Sequence, residues 1–223
     1  AALINVATGS TGPAPVSDYG TELTFLRLMK DQSNAYTARI SASYAAQATM
    51  STMYAASGNT LSDQLKVVAR LIGGGLKTTV YIVNHPNSFD THVSQVTAGN
   101  TVAGSHADML SKLSVAITAF QDDITLMGKH TKVTGMTFSE FGRRVISNTS
   151  FGTDHGSGAP VIFFGAMLNG GVTGTSPVLP AIPTGSTQVP LQYDYRQLYA
   201  TVMQKRLCMT ATQSETVLNG TFA

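Results

Sequence analysis

Charge is scarce in this chain. Asp, Glu, Lys and Arg together make up 12% of its 223 residues, about half the share of an ordinary soluble domain. Neither sign gathers into a run, and the formal net charge is only +2. A nucleic-acid-binding domain needs a concentrated basic face, so that class is excluded. Cysteine is nearly absent as well. Cys208 stands alone, which excludes an intrachain disulfide framework, and its apolar surroundings place it in a buried helix. No apolar run approaches the ~18 residues of a membrane span. No charged-then-apolar signal segment stands at the start. The chain opens instead at Ala1 with AALINVATGSTGPAPVSDYG, which reads as a loop inside a longer protein. Two catalytic signatures are missing. There is no Gly-x-Ser-x-Gly elbow, and no Lys-Ser/Thr directly follows Gly73-Gly74-Gly75, Leu76 standing before Lys77-Thr78, so the glycines make no phosphate loop.

What is present is apolar residue in quantity, 43% of the chain, enough to bury a sizeable core at this length. Residues 1–20 are rich in Gly, Pro and Ser and read as irregular. Residues 21–223 then read as one domain, with helical spacing over 21–57. LSDQLKVVARLIGGG reads as a helix capped by Ser62, with Leu65, Val68 and Ile72 on one face and the three glycines as its stop. KTTVYIV (77–83) is predicted as a strand. In SHADMLSKLSVAITAFQDDITLMG, residues Leu110, Leu113, Ile117, Phe120, Ile124 and Met127 recur every three or four positions, predicting an amphipathic helix capped by Ser105 and ended by Gly128. KVTGMTFSEF (132–141) and APVIFFGA (159–166) are predicted as strands, 170–192 as a Gly/Pro/Thr-rich loop, and 194–208 as a helix. Helices alternating with strands across long crossovers predict a parallel sheet covered on both faces.

In such folds ligands collect at the carboxyl ends of the strands, and the polar clusters fall there. Asp90 and His92 follow the first predicted strand. Ser139, Glu140 and Arg143 close the second, and Asp154-His155 lies in FGTDHGSGAPVIFFGA just beyond. In an extended FDTH segment residues i and i+2 face one side, so Asp90 and His92 can meet one ion. Adjacent Asp154 and His155 share a site only on a turn, which their flanking glycines permit. Carboxylate with imidazole is a donor set for zinc, manganese or iron, whereas magnesium and calcium prefer oxygen alone. Zinc is the first choice. Each pair also has a plainer reading as a cap or turn. Glu140 is either a partner orienting His155, an acid/base group, or half of an ion pair with Arg143 that fixes the loop. His85, before Pro86, and His106, in a helix's first turn, are weaker ligand candidates, and His130 reads as surface.

LKVVARLIGGGLKTTVYIVNHPNSFDTHVSQ, MTFSEFGRRVISNTSFGTDHGSGAPVIFFGAMLNGGVTG and DYRQLYATVMQKRL together resemble the DUF1501 family over about residues 60–220. Its members are bacterial exported proteins similar to the sulfatase/alkaline-phosphatase superfamily. The resemblance implies an alkaline-phosphatase-like three-layer α/β/α fold with a mostly parallel sheet, here lacking its N-terminal strands. It implies Asp154 and His155 as metal ligands, with Asp90 and His92 as candidates for the others, and Glu140 and Arg143 behind them or binding an anion. The Asp-x-His spacing at 90–92 departs from the Asp-x-x-x-His of the phosphatases, and no third His follows Gly156. The first-strand Asp and the nucleophile belong to an N-terminal portion outside this chain. Two functions follow as expectations. One is metal-dependent hydrolysis of phosphate or sulfate esters, completed by the missing half or by another chain. The other is a silent secreted module that packs in an assembly. Scarce Cys with abundant Ser and Thr suits export.

Overall fold

The computed structural model describes residues 12–85 and 89–222. The chain divides into two units, residues 1–49 with 70–78, and 50–69 with 79–223. Of the segment 1–20 expected to be irregular, residues 1–11 lie outside the described part, 12–17 carry no helix or strand, and 18–20 are helical, a correction to that reading. Pro86, the residue expected to turn the chain after His85, also lies outside it.

The first unit is built on α1, Asp18–Ala46. The Ser17 side chain caps it by accepting from the Gly20 N–H at 3.2 Å. Of its 29 residues only Gly20 and Ser43 are buried. Phe25, Leu26, Leu28, Met29 and Tyr36 are all about half exposed or more. The last turn of α1 has no basic residue of its own. Arg70 fills that place. Its guanidinium stacks 3.5 Å above the Tyr44 ring and donates to the carbonyls of Tyr44 and Gln47 at 2.8 and 2.7 Å. Those carbonyls sit at a helix end without partners within the helix, where a cation is favoured.

Helix α2 (Thr60–Gly73), of which residues 60–69 belong to the second unit, starts two residues before the expected cap. Asn59 caps it instead, its side-chain oxygen accepting from Ser62 N–H at 3.2 Å. Leu61, Leu65, Val68 and Ala69 are buried along it. Helix α3, Ser105–Leu126, has Gly104 at its N-cap, so Ser105 is the first helical residue and not the cap. Its buried side is Met109, Ala116, Ala119, Phe120, Asp123 and Ile124. That stripe is turned from the predicted one, and Leu110 stays 44% exposed. Apolarity alone did not choose the stripe. Asp123 is fully buried because its Oδ1 accepts from the backbone N–H groups of Met50 and Ser51 at 2.7 and 3.0 Å. Next to it, Asp122 Oδ2 accepts from the Ser51 hydroxyl at 2.5 Å. Burial first, then the Asp123 charge, pushes the Tyr54 phenol well above its ordinary range.

The segment 77–83 forms no strand among the described residues, a correction to the reading of KTTVYIV. It keeps extended character, since exposure alternates along 80–84. Its ladder partner is a side chain: Gln64 exchanges two hydrogen bonds with the Asn84 backbone at 2.7 and 3.0 Å. The strands predicted at 132–141 and 159–166 shorten to β1, Gly135–Met136, and β4, Phe163–Phe164, paired antiparallel. Between them lies a hairpin that the sequence reading missed, β2 (Gly142–Ser147) against β3 (Thr153–Gly156). A five-residue connection permits only antiparallel pairing, whereas a parallel pair needs a long crossover. Both described pairings are antiparallel, and the expected parallel sheet is not shown. Residues 165–194 hold no helix or strand. Helices α4 (Tyr195–Arg206) and α5 (Ala211–Leu218) follow, each opened by a capping box, from Asp194 with Gln197 and from Thr210 with Gln213. Cys208 lies between them, exposed and at φ 57°, which corrects its expected place in a buried helix. No helix among the described residues is long and apolar enough to cross a membrane.

Asp123 therefore joins the 50–51 backbone to the core of the second unit. Asp123→Ala leaves the buried Ser51 N–H and the partly buried Met50 N–H without their acceptor and is expected to cost about 2–3 kcal/mol of unfolding free energy, with Asp123→Asn costing less because it keeps one carbonyl oxygen. Urea unfolding checks this, and a loss below about 0.5 kcal/mol, as for an ordinary surface substitution, would refute it.

Candidate metal centre

The hairpin sets the site's frame. In β2–β3 the register places Arg143 opposite His155, so these two side chains share one face, and their neighbours Arg144 and Asp154 share the other. On the first face, His155 Nε2 donates to Asp90 Oδ1 at 2.7 Å and Arg143 Nη1 stands 3.2 Å from the same oxygen. On the second, Arg144 Nη1 lies 3.9 Å from Asp154 Oδ2. This corrects the expected turn at Asp154-His155: the pair lies on a strand, and its two side chains leave on opposite sides.

The third contributor is the segment after Phe89. It is not extended, as the Asp-x-His reading assumed. Successive tight turns form it, with Thr91 N–H on Phe89 O at 2.9 Å and His92 N–H on Asp90 O at 3.1 Å. They still bring both side chains to one point, His92 Nε2 lying 2.9 Å from Asp90 Oδ1. The two imidazoles stand 4.9 Å apart between ring centroids. The other nitrogen of His92, Nδ1, is 3.4 Å from Asp154 Oδ1. Asp154 thus stands behind a histidine, not beside its neighbour His155.

Several bonds hold this segment to the hairpin. Thr153 N–H donates to Thr91 O at 3.2 Å, and Ser94 N–H to Ser150 O at 3.0 Å. The Gln95 side-chain carbonyl accepts from both Thr91 and Thr153 hydroxyls, at 2.9 and 2.7 Å. Asn148 donates to His92 O at 2.8 Å while its own oxygen accepts from the Ser150 and Gly152 N–H groups. Position 152 admits only glycine, because a Cβ there would fall 2.2 Å from the His92 carbonyl. Gln95 and Asn148 were missed in the sequence. The signal for Asn148 was its place before Ser150 and Gly152, where an Asn side chain closes a turn on the backbone two residues on.

Asp90, His92 and His155 are the one group among the described residues whose ligand atoms could hold a metal, all lying within 4.8 Å of one another. Two imidazole nitrogens and a carboxylate oxygen suit zinc and neighbouring transition metals. A tetrahedral ion at ordinary bond lengths would hold its ligands about 3.3 Å apart, roughly half an ångström wider than these hydrogen bonds. The three side chains are 37–49% exposed, so that spread needs no core movement. Asp154 on the far nitrogen of His92 is the kind of carboxylate that fixes a metal-bound histidine.

The other named candidates fall elsewhere. Arg143 donates four hydrogen bonds, two to Phe89 O and one each to Thr153 O and Thr91 Oγ1, and forms an ion pair with Asp90, so it is held within the site. Glu140 is exposed, and among the described residues no hydrogen bond or ion pair joins it to His155 or Arg143; both readings of Glu140 as a local partner are thereby corrected. His85 and His106 flank the Phe89 ring edge-on, at 5.3 and 5.6 Å. Burial, then the charge of Arg143, holds the His106 imidazole below its ordinary range. His130 lies in a short 3-10 turn after α3.

Residues 22–217 match the family described as Protein of unknown function (DUF1501). No curated protein and no solved structure matches the chain.

The Asp90 carboxyl is held below its ordinary 3.8, first by the His155 hydrogen bond and then, against opposing desolvation, by the charges of His92, His155 and Arg143. A depressed carboxyl stabilises the fold above its unfolded value, and the contribution is lost as pH falls through the lower folded value. Carbon-13 NMR of the metal-free protein should therefore find the Asp90 midpoint under 3.8 and a rise toward it in His155→Ala. An unmoved midpoint in that variant would count against the pairing.

Proposed function

We propose, from the premise that this chain belongs to the DUF1501 family, that it carries the metal-holding part of an exported hydrolase of phosphate or sulfate esters. The observation that carries the reading is the convergence of Asp90, His92 and His155 on one point with Asp154 behind His92. The donor set favours zinc, with manganese or iron as the other choices. A divalent ion held there supplies Lewis acidity toward an ester oxygen.

The chain's own residues do the holding. Asp90 Oδ1 and the two Nε2 atoms are the ligands. Asp154 keeps the proton of His92 on Nδ1, so that Nε2 presents its lone pair to the ion. Arg143 fixes the Phe89–Asp90 backbone to β2–β3, which keeps the carboxylate on the imidazoles. The centre is open on its exposed side, as a catalytic metal needs and a structural one does not. In this proposal the fold is the alkaline-phosphatase-like α/β/α layer structure, and a further segment or partner chain supplies the nucleophile.

A second reading, a silent module packed in an assembly, is favoured by one feature. Val172, Val178 and Ile182 are 95%, 91% and 85% exposed in the irregular 165–194 segment, apolar surface that packing in an assembly would cover.

Elemental mass spectrometry of the purified, zinc-supplemented protein is expected to find about one transition-metal ion per chain, falling below a tenth of that in Asp90→Ala and His155→Ala. Hydrolysis of aryl phosphate and aryl sulfate esters should follow the metal once the segment or chain that supplies the nucleophile is added. Folded wild-type protein that takes up no metal would sink the reading; stoichiometric metal without ester turnover in that completed form would leave the assembly module.

A further inference from the structure

In the Ser139–Arg143 motif, SEFGR, three residues have identifiable work and one faces solvent. Arg143 clamps the Asp90 loop. Ser139 donates its hydroxyl proton to the Phe141 carbonyl at 3.1 Å. Gly142 pairs with Gly156, and a Cβ there would fall 1.9 Å from the Gly158 carbonyl oxygen. Glu140 faces solvent. That leaves Phe141, whose ring lies face to face on the His155 imidazole, 3.8 Å between centroids and 13° from parallel. The Arg143 guanidinium lies 5.4 Å from the same ring.

We propose that Phe141 is the positioning residue of the metal centre, setting the plane of the His155 imidazole so that Nε2 stays aimed at the ion. This rests on the metal reading above. The physical need is specific. The outer torsion of a histidine is soft and broad, and a half-exposed imidazole is not confined by packing. The Nε2–Asp90 bond fixes one direction but leaves the ring free to turn about it. A parallel aromatic face removes that freedom. The electronic effect has the same sign. An ion on Nε2 draws electron density from the imidazole, and an electron-poor ring gains on the negative face of a phenyl group. Phe141 therefore favours the loaded centre over the empty one.

The test compares Phe141→Leu, which keeps apolar volume without a π face, with Phe141→Tyr, which keeps the face; Phe141→Ala is the more disruptive third. Cobalt(II) titration followed by visible absorption gives the affinity. The expected loss is about three- to tenfold in Phe141→Leu and Phe141→Ala, with Phe141→Tyr within twofold of wild type. A second readout needs no metal. The His155 Cε1 proton should resonate upfield in wild type and Phe141→Tyr, from the ring current of its neighbour, and move downfield in Phe141→Leu. A merely structural role would move melting temperatures and leave this contrast absent. Wild-type binding with an unchanged Phe141→Leu affinity would overturn the proposal and leave the metal site standing. Absence of cobalt binding in folded wild type would overturn both.

Discussion

One carboxylate oxygen organises the site. Asp90 Oδ1 lies within 3.2 Å of three cationic or hydrogen-bonding nitrogens, from His92, His155 and Arg143. Two of the three come from the β2–β3 hairpin and one from its own segment, so the contact joins parts of the chain more than fifty residues apart. The oxygen can accept several donors only because it carries full charge, and its depressed pKa is the same fact seen from the proton's side. Everything else described at the centre either keeps Asp90 in place or keeps a histidine facing it.

The supporting bonds fall into two sets with different physics. Gln95, Asn148 and Arg143 act on backbone carbonyls and hydroxyls, and they make the FDTH segment and the hairpin one body. Those groups would otherwise lose water without gaining a partner, which is where hydrogen bonds contribute most. Asp154 and Phe141 act on imidazole rings, one through the far nitrogen and one through the face. The first set decides where the three candidate ligands are, the second which way their rings face.

A similar logic runs through the second unit's core. Asp123 is fully buried in a helix whose buried stripe otherwise consists of Met, Ala, Phe and Ile, and the reason is two backbone N–H groups at 50–51. A reading from apolar spacing turned that stripe toward Leu110, because spacing cannot see that a distant loop needs an acceptor. The predicted strands at 132–141 and 159–166 contracted for a related reason. β-Branched content shows willingness to be extended, but the length of a strand depends on what pairs with it.

Residue chemistry at short range was legible in the sequence: which side chains could ligate an ion, Asp90, His92 and His155 among them; the apolar helices; the irregular 170–192 stretch; the family itself, through motifs long enough to be specific. These follow from composition and local spacing, which a chain carries wherever it folds. Partnership was not legible. That Asp154 stands behind His92 and not beside His155, that Arg143 bonds to Phe89, Thr91 and Thr153 and pairs with Asp90, that Glu140 faces water while Phe141 covers a histidine, all depend on the β2–β3 register and on the turns at 89–92. A one-residue change of register would exchange the faces of every side chain on the strand, and nothing in the local sequence carries that choice. Only the tertiary contacts decide it.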